Sequence, residues 1–154
     1  MTTSTLTSKK SIYLLTGDIG GTNSRMSLYD VHSPEPVVVH YYRNSEHLPA
    51  ERLADPDAFP LHIVAPFLEK CWTETKSTLQ PLEQSEIVAC IATAGVVSNN
   101  AANLTNLGGL LIDGNAMQAN TSNKYLKHLK RVVVINDFVA QGMYASLASY
   151  HIIS

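Results

Sequence analysis

The stretch from Gly17 to Arg25, "GDIGGTNSR", places two adjacent glycines and several polar side chains between two apolar runs. "SIYLLT" (11–16) precedes it and "MSLYDV" (26–31) follows it. Both flanking runs are typical of β-strands, and the second alternates apolar and polar residues. A two-residue turn such as Asn-Gly is enough to close a hairpin. The stretch therefore predicts two antiparallel strands joined by a turn that does more than reverse the chain.

The residue types of this turn are suited to phosphate. Gly20 and Gly21 can adopt positive φ and leave no side chain between backbone and ligand, and successive N–H groups in such a turn bind anions. Thr22 and Asn23 add neutral donors, and Asp18 is useful there if Mg²⁺ with its waters lies between the carboxylate and the phosphate. The residues alone leave two interpretations open. The turn either binds phosphate, or it is a hairpin turn that has extra polar residues and no ligand.

Two other phosphate motifs fit less well. The P-loop pattern needs a Gly-Lys pair before a helix, and the sequence contains no such pair. The dinucleotide fingerprint needs G-x-G-x-x-G opening a helix, whereas a strand follows here. A P-loop ATPase and an NAD enzyme are therefore poor interpretations.

The composition indicates a globular protein, and its charge gives no reason to expect binding to polyanions. The 154 residues are 45% hydrophobic and 16% charged, with a formal net charge of −2, which gives no case for binding nucleic acid or an anionic membrane. Residues 1–11 are expected to be a disordered lead-in, because they lack the apolar segment of a secretory signal. Cys71 and Cys90 are expected to be buried thiols in a reducing compartment, so the cytoplasm is the expected location.

Hydrophobic periodicity predicts an antiparallel meander followed by a helix. The meander consists of strands at 12–16, 24–31 and 36–43, and a loop over 44–57 follows it. Apolar residues recur every four positions from Phe59 to Cys71, which predicts an amphipathic helix. Pro66 inside that helix predicts a kink or a late start.

Two later apolar runs predict buried strands. They occupy 86–93 and 131–136, and their continuous hydrophobicity is typical of strands covered on both faces. A polar stretch follows the first strand, a weak helix is expected over 113–129, and a second helix is expected over 137–150. Strands that alternate with helices after a meander indicate an α/β fold with a mixed sheet.

Polar residues follow both buried strands, at the edge of the sheet where α/β proteins bind ligands. A helix N-cap explains Asp137 alone, but the pair Asn136 and Asp137 can also hold hydroxyl groups. A positioned, ionised carboxylate can accept a proton from an alcohol. Thr105 and Asn106 offer neutral hydrogen-bonding groups after the first strand, although a plain surface loop explains their composition as well.

Three stretches in this order resemble the bacterial-type glucokinases: "GDIGGTNSRMSLYD" (17–30), "IATAGVVSNNAANLTNLGG" (91–109) and "VVVINDFVAQG" (132–142). The resemblance covers about residues 12–145. That family belongs to the actin/hexokinase/Hsp70-like ATPase superfold. The resemblance therefore implies a ribonuclease H-like, actin-like ATPase lobe with a mixed sheet and flanking helices.

The resemblance implies an ATP-dependent kinase that phosphorylates glucose at its 6-hydroxyl. Asp18, Gly20, Gly21, Thr22 and Asn23 would wrap the ATP phosphates, with Mg²⁺ near Asp18. Phosphoryl transfer depends mostly on positioning and on electrostatic relief of spread charge, so the enzyme would need few further groups.

The resemblance also implies a glucose site. Asn136 and Asp137 would bind sugar hydroxyls, and Asp137 would be the catalytic base that draws the proton from the 6-hydroxyl. Thr105 and Asn106 match the Leu-Thr-Asn stretch that lies beside the sugar in the family.

The chain departs from the family pattern in two respects. "LGGLLI" (107–112) stands where the family usually has a Trp, and the family continues through a second, larger lobe. Residues 12–150 are therefore expected to be the small N-terminal lobe with half an active site, and full-length members can form homodimers. The alternatives are a non-catalytic sugar-binding or regulatory member, or another sugar or acyl kinase of the superfold.

Overall fold

The computed structural model describes residues 9–75 and 78–138. These residues form eight strands: β1 Ser11–Ile19, β2 Asn23–Asp30, β3 Pro36–Arg43, β4 Ser85–Thr93, β5 Val97–Ser98, β6 Ala101–Leu104, β7 Leu110–Asp113 and β8 Leu129–Asn136. They also form three α-helices: α1 Asn44–His47, α2 Ala65–Glu74 and α3 Gly114–Ala119. Most of the expected lead-in and all but the first two residues of the helix expected over 137–150 lie outside the described residues.

The main sheet has the spatial order β3-β2-β1-β4-β8 and is mixed. β1, β2 and β3 form the predicted antiparallel meander, whereas β1, β4 and β8 run parallel. β1 is longer than predicted, because it pairs with β2 as far as Ile19 opposite Ser24. The α/β fold with a mixed sheet is confirmed.

An amphipathic helical segment packs against one face of this sheet, as the four-residue periodicity predicts. Its apolar stripe is fully buried and consists of Phe59, Ile63, Phe67 and Cys71. Trp72 of α2 meets Tyr13 of β1 edge-on, with ring centroids 5.6 Å apart. Such aromatic pairs stabilise a core beyond the area they bury, and this pair helps to fix α2 on the sheet.

The kink or late start that Pro66 predicts takes another form. Helical backbone begins at Ala58, Pro60–Val64 form a π-helical turn, and α2 continues from Ala65. The N–H of Ala65 reaches back five residues to the carbonyl of Pro60. Pro66 has no N–H to complete an α-helical hydrogen bond, so the turn before it is wider. In the part of the chain described here, no helix has the length and apolar character needed to cross a membrane.

The polar stretch after β4 contains a second sheet that the sequence did not reveal. β5, β6 and β7 pair as a three-stranded antiparallel sheet. Asn99 and Asn100, with φ of 50° and 59°, form the two-residue turn between β5 and β6. Asn tolerates left-handed backbone better than most residues, so an Asn-Asn pair can close a hairpin of this kind.

The helix expected over 113–129 is wrong beyond its first turns. α3 is only six residues long and begins where the side chain of Asp113 accepts the N–H of Ala116 at 3.0 Å. The side chains of Asn120 and Asn123 then accept N–H groups of the residues that follow them. Such local bonds compete with helical ones, and the chain turns instead of continuing as a helix.

The expectation that both parallel strands are covered on two faces is also wrong. β4 alternates between buried and half-buried residues, and β8 is an edge strand with exposed Lys130 and Arg131. A side chain covers part of the outer edge of β8: Asn100 accepts the N–H of Val134 and donates to the carbonyl of Val132, each at 2.8 Å. The small sheet is thereby tied to the large one.

Candidate active site

Three parallel strands bring the predicted site residues to one edge of the main sheet. Ile19, Thr93 and Asn136 are register partners across β1, β4 and β8. The glycine turn therefore leaves β1 at the level where Asp137 leaves β8. The carboxyl edge of parallel strands is where α/β proteins bind ligands, so this edge is the candidate active site.

The glycine turn is a tight loop with an exposed outer face. The N–H of Gly20 donates to the carbonyl of Asn23 at 3.0 Å. The exposed residues are Asp18, Gly20, Gly21, Thr22 and Asn23. Neither Gly20 nor Gly21 uses the positive φ that glycine can adopt. A Cβ at Gly20 would lie 3.3 Å from the Asn23 carbonyl oxygen, and one at Gly21 would meet nothing within 4 Å. Glycine permits the close approach at Gly20 and leaves Gly21 open to a ligand.

Asn44, which the sequence analysis did not single out, holds this turn from behind. Its buried side chain donates to the carbonyl of Gly20 at 2.9 Å and accepts the hydroxyl of Ser24 at 2.6 Å. Its backbone N–H donates to the carbonyl of Thr22 at 2.9 Å. An Asn between a strand and a helical turn is common as a cap, so its position after β3 gave no sign of this contact.

Asp18 belongs to a polar row that crosses the meander. Asp18 and Arg25 are register partners on β1 and β2, and Arg25 and Tyr41 are partners on β2 and β3. The guanidinium carbon of Arg25 lies 6.0 Å from the ring centroid of Tyr41, a cation–π distance. Register partners share a face of the sheet, so an anionic and a cationic side chain stand together beside the glycine turn.

Asp18 suits a magnesium ion that arrives with a nucleotide. Mg²⁺ usually keeps several waters and binds through one or two carboxylates plus substrate phosphates. Across residues 9–75 and 78–138, no group of three or more His, Cys, Asp or Glu side chains is placed to hold a metal ion. The exposed carboxylate of Asp18 lies beside the open backbone of Gly21. It therefore fits a Mg²⁺ ion that is bound through one carboxylate and the phosphates of a nucleotide.

The side chain of Asn136 joins the ends of the two buried strands. Its nitrogen donates to the carbonyl of Gly95 at 2.7 Å, and its oxygen accepts the N–H of Phe138 at 2.9 Å. Asn136 therefore acts as the cap of the following helical turn, a role that the sequence analysis considered for Asp137. A carboxamide has four hydrogen-bonding positions, so two remain for a ligand.

One oxygen of the Asp137 carboxylate has no hydrogen-bond partner among the residues that the structure describes. This oxygen, Oδ1, is buried. A buried polar atom without a partner is costly and calls for an explanation, of which a catalytic role is one. The capping by Asn136 leaves this carboxylate available for chemistry at the edge of the sheet.

The predicted sugar loop forms the 3-10 turn Thr105–Leu107, in which Thr105 and Asn106 are exposed. Gly108 and Gly109 follow with φ of 66° and 84°, a left-handed pair that L side chains rarely adopt. Leu104, just before the turn, packs on Gly95: a Cβ at Gly95 would lie 2.5 Å from Leu104 Cδ2. The loop is therefore linked to Asn136 through Gly95.

A groove of about 290 Å³ separates the glycine turn from the sugar loop. Gly21 and Asn44 line one side, Asn106 and Gly108 line the other, and Leu48 and Leu53 are part of its wall. Asp137 is not among the residues that line it. The structure thus brings the predicted phosphate turn and Asn106 to one groove, and it brings Asp137 to the same edge of the sheet outside that groove.

An antiparallel meander that leads into parallel strands, with a glycine-rich turn after the first strand, gives the chain an α/β fold of the actin-like type. A family model described as Glucokinase matches residues 15–151, nearly the whole chain. The chain belongs to the glucokinase family. A search of curated proteins gave no match.

Solved structures include similar lobes. The glucokinase from Balamuthia mandrillaris, solved in complex with glucose, matches with a TM-score of 0.51 and 18% identity, over 86% of this chain and 32% of that chain. A glucokinase from an Antarctic psychrotroph matches with a TM-score of 0.47 and 23% identity, over 83% of this chain and 33% of that chain. This chain thus spans about a third of the length of these two proteins.

Proposed function

We propose that this chain contributes the phosphate turn and the catalytic base of a glucokinase, which transfers the γ-phosphoryl group of ATP to the 6-hydroxyl of glucose. The observation that carries the proposal is the buried Oδ1 of Asp137, which has no hydrogen-bond partner among residues 9–75 and 78–138 and lies at the edge of the sheet that also holds the glycine turn. A general base must be positioned within hydrogen-bond reach of the proton that it accepts. Membership of the glucokinase family supports the same reaction.

On the donor side, the turn at Gly20 and Gly21 and the side chains of Thr22 and Asn23 surround the phosphates of ATP, while the N–H of Gly20 stays bonded to the carbonyl of Asn23. The open face at Gly21 allows a phosphate oxygen to approach the main chain. Asp18 holds the waters of the Mg²⁺ ion. That ion, when bound, neutralises charge on the transferred group.

On the acceptor side, Asp137 accepts the proton of the 6-hydroxyl as the hydroxyl oxygen attacks the γ-phosphorus and ADP leaves. Asn136 binds a neighbouring hydroxyl through its two remaining hydrogen-bonding positions. Thr105 and Asn106 contact the sugar from the loop that follows β6. Positioning of this kind supplies much of the acceleration in phosphoryl transfer.

We further propose that residues 12–150 correspond to the small N-terminal lobe of the family, in the cytoplasm. The match to about a third of each solved glucokinase supports this assignment. The opposite wall of the site, with most of the nucleotide pocket, then belongs to a larger lobe. Closure of two lobes around the substrates would exclude water from the transfer.

The test is glucose-dependent ADP release with ATP and Mg²⁺. The chain is assayed alone and mixed with the part of the Balamuthia mandrillaris glucokinase that it does not match. Activity is expected in the mixture, with a loss of about 100-fold or more in Asp137→Asn, because a positioned base contributes a factor of about 10² to 10⁴. Asp113→Asn is the matched control, since Asp113 caps α3 and an Asn oxygen still accepts the N–H of Ala116.

Three outcomes would contradict parts of the proposal. Equal activity of the parent chain and Asp137→Asn would remove Asp137 from the role of base. Glucose binding by both preparations without ADP release would favour a non-catalytic sugar-binding member. Absence of both glucose and ATP binding in the mixture would contradict the sugar kinase assignment itself.

A further inference from the structure

Asn44 touches the glycine turn at three successive points. Its side-chain nitrogen holds the carbonyl of Gly20 at 2.9 Å, its side-chain oxygen accepts from Ser24 at 2.6 Å, and its backbone N–H holds the carbonyl of Thr22 at 2.9 Å. Asn44 is 5% exposed and Ser24 is 0% exposed. Buried hydrogen bonds between polar side chains are geometrically demanding, so Asn44 sets the shape of the turn.

The segment that begins with Asn44 also reaches the opposite wall of the groove. The carbonyl of Leu53 accepts the N–H of Leu111 in β7 at 2.9 Å. The side chain of Leu53 lies close to Gly108, where a Cβ would be 3.0 Å from Leu53 Cδ1. The residues from Asn44 to Leu53 therefore contact the glycine turn at one end and the sugar loop at the other.

We propose that Asn44 is a positioning residue for the phosphate donor: it fixes the carbonyls of Gly20 and Thr22 and so holds the turn in the shape that leaves its backbone open to a phosphate at Gly21. This inference rests on the proposed function, because it takes the turn to be the ATP site. Asn44 acts through the turn, by the hydrogen bonds that hold its backbone. Its removal should weaken the binding of ATP and leave the binding of glucose unchanged.

The chemistry of the carboxamide explains why the residue is Asn. One end must donate to a carbonyl and the other must accept from a hydroxyl, and Asn offers both on a short side chain. Alanine would leave the carbonyl of Gly20 and the hydroxyl of Ser24 without their partner in a buried place. Such a loss usually costs more than the net value of the bond, and the turn would open toward water to recover it.

The experiment follows the turn directly by amide NMR on the ¹⁵N-labelled chain. Asn44→Ala is compared with Ser24→Ala, a milder variant that removes only the hydroxyl donor. The matched control is Asn123→Ala, because Asn123 also satisfies backbone N–H groups, those of Tyr125 and Leu126, but lies away from the turn. Two quantities are measured: the hydrogen-exchange rate of the Gly20 amide, and the Kd for Mg-ATP from the shift of the Gly21 amide.

The expected result is selective. In Asn44→Ala the Gly20 amide exchanges at least about tenfold faster and the Kd for Mg-ATP rises about tenfold, which corresponds to the loss of two hydrogen bonds. Ser24→Ala gives about a threefold change in both quantities, and Asn123→Ala changes neither, even where it lowers global stability by a similar amount.

Each contrary outcome has its own meaning. Unchanged Gly20 exchange in both Asn44→Ala and Ser24→Ala overturns the positioning role, and so does an equal change in Asn123→Ala. If Asn44→Ala does not fold, Ser24→Ala decides the question alone. If the parent chain gives no Mg-ATP shift at Gly21, the proposed ATP site fails while the exchange data still decide whether Asn44 shapes the turn.

Discussion

The side-chain nitrogen of Asn136 donates a 2.7 Å hydrogen bond to the carbonyl oxygen of Gly95, across the carboxyl ends of β8 and β4. The same side chain accepts the N–H of Phe138 at 2.9 Å. One carboxamide therefore ties two segments of the candidate site together and caps the helical turn that carries Asp137. The position of the proposed base depends on its neighbour in sequence.

Replacing Asn136 by alanine should destabilise the fold as well as impair the site. Asn136→Ala removes a half-buried donor and a helix cap, and each is worth about 1 kcal/mol. We expect the free energy of unfolding to fall by about 1–2 kcal/mol, measured by urea denaturation. Asn103→Ala, on the exposed side of β6, is the control and should change it by less than about 0.5 kcal/mol. An equal loss of unfolding free energy in the two variants would contradict the role of Asn136 in holding the ends of β4 and β8 together.

Gly17→Ala should be destabilising although Gly17 lies in a regular strand. A Cβ there would lie 2.8 Å from Ile91 Cδ1 and 3.2 Å from Met26 Sδ, and both neighbours are fully buried. Overpacking of this kind costs about 1–3 kcal/mol. Gly21→Ala is the matched control, because its Cβ would meet nothing within 4 Å. Comparable melting temperatures for the two variants would show that the core beside Gly17 adapts to the extra methyl group.

The meander and the edge of the site could be predicted because local signals agree there. Alternating apolar residues around "GDIGGTNSR" specify the hairpin, and the apolar runs at 86–93 and 131–136 specify the parallel strands. The topology then brings Ile19 and Asn136 to one level of the sheet. The α/β fold class could be predicted from these patterns alone.

The parts that could not be predicted depend on contacts that the hydrophobic pattern does not encode. Asn99 and Asn100 look like loop residues, and only the pairing of β5 with β6 reveals their turn as a hairpin. The end of α3 is set by Asn120, whose side chain competes for backbone N–H groups. Asn44 meets Gly20 over a separation of 24 positions in the sequence, which no local pattern encodes.

Acidification should weaken the fold through His128. Burial holds the pKa of His128 below its usual value, and the nearby charge of Lys127 lowers it further. At a pH just below about 6.5 the unfolded state binds the proton more readily than the folded state. This contribution to stability is therefore present above that pH and is lost as the pH falls. His40, whose pKa burial also lowers, acts in the same direction.

The measurement is the urea midpoint at pH 7.5 and pH 5.5. We expect the midpoint to fall between these values in the parent chain and to fall less in His128→Gln. Nε2 of His128 is buried and bonds to no group in the described ranges, and the backbone of Ser85 offsets only part of the lowering of the pKa. Exposed His32 provides the control variant, His32→Gln, which should keep the parental dependence. An unchanged dependence in His128→Gln would contradict the role of His128.

The thiol of Cys71 should be inert in the folded protein. Burial raises its pKa to about 12, its side chain is fully buried in the helical stripe, and only the thiolate reacts with disulfide reagents. In a Cys90→Ala background, we expect labelling of Cys71 at pH 8 to proceed no faster than unfolding and to become immediate in concentrated urea. The Cys90→Ala substitution removes the second thiol, which is half-buried. Burial also raises the pKa of that thiol. Rapid labelling without urea would mean that α2 opens locally, and that its packing on the sheet is weaker than the buried stripe implies.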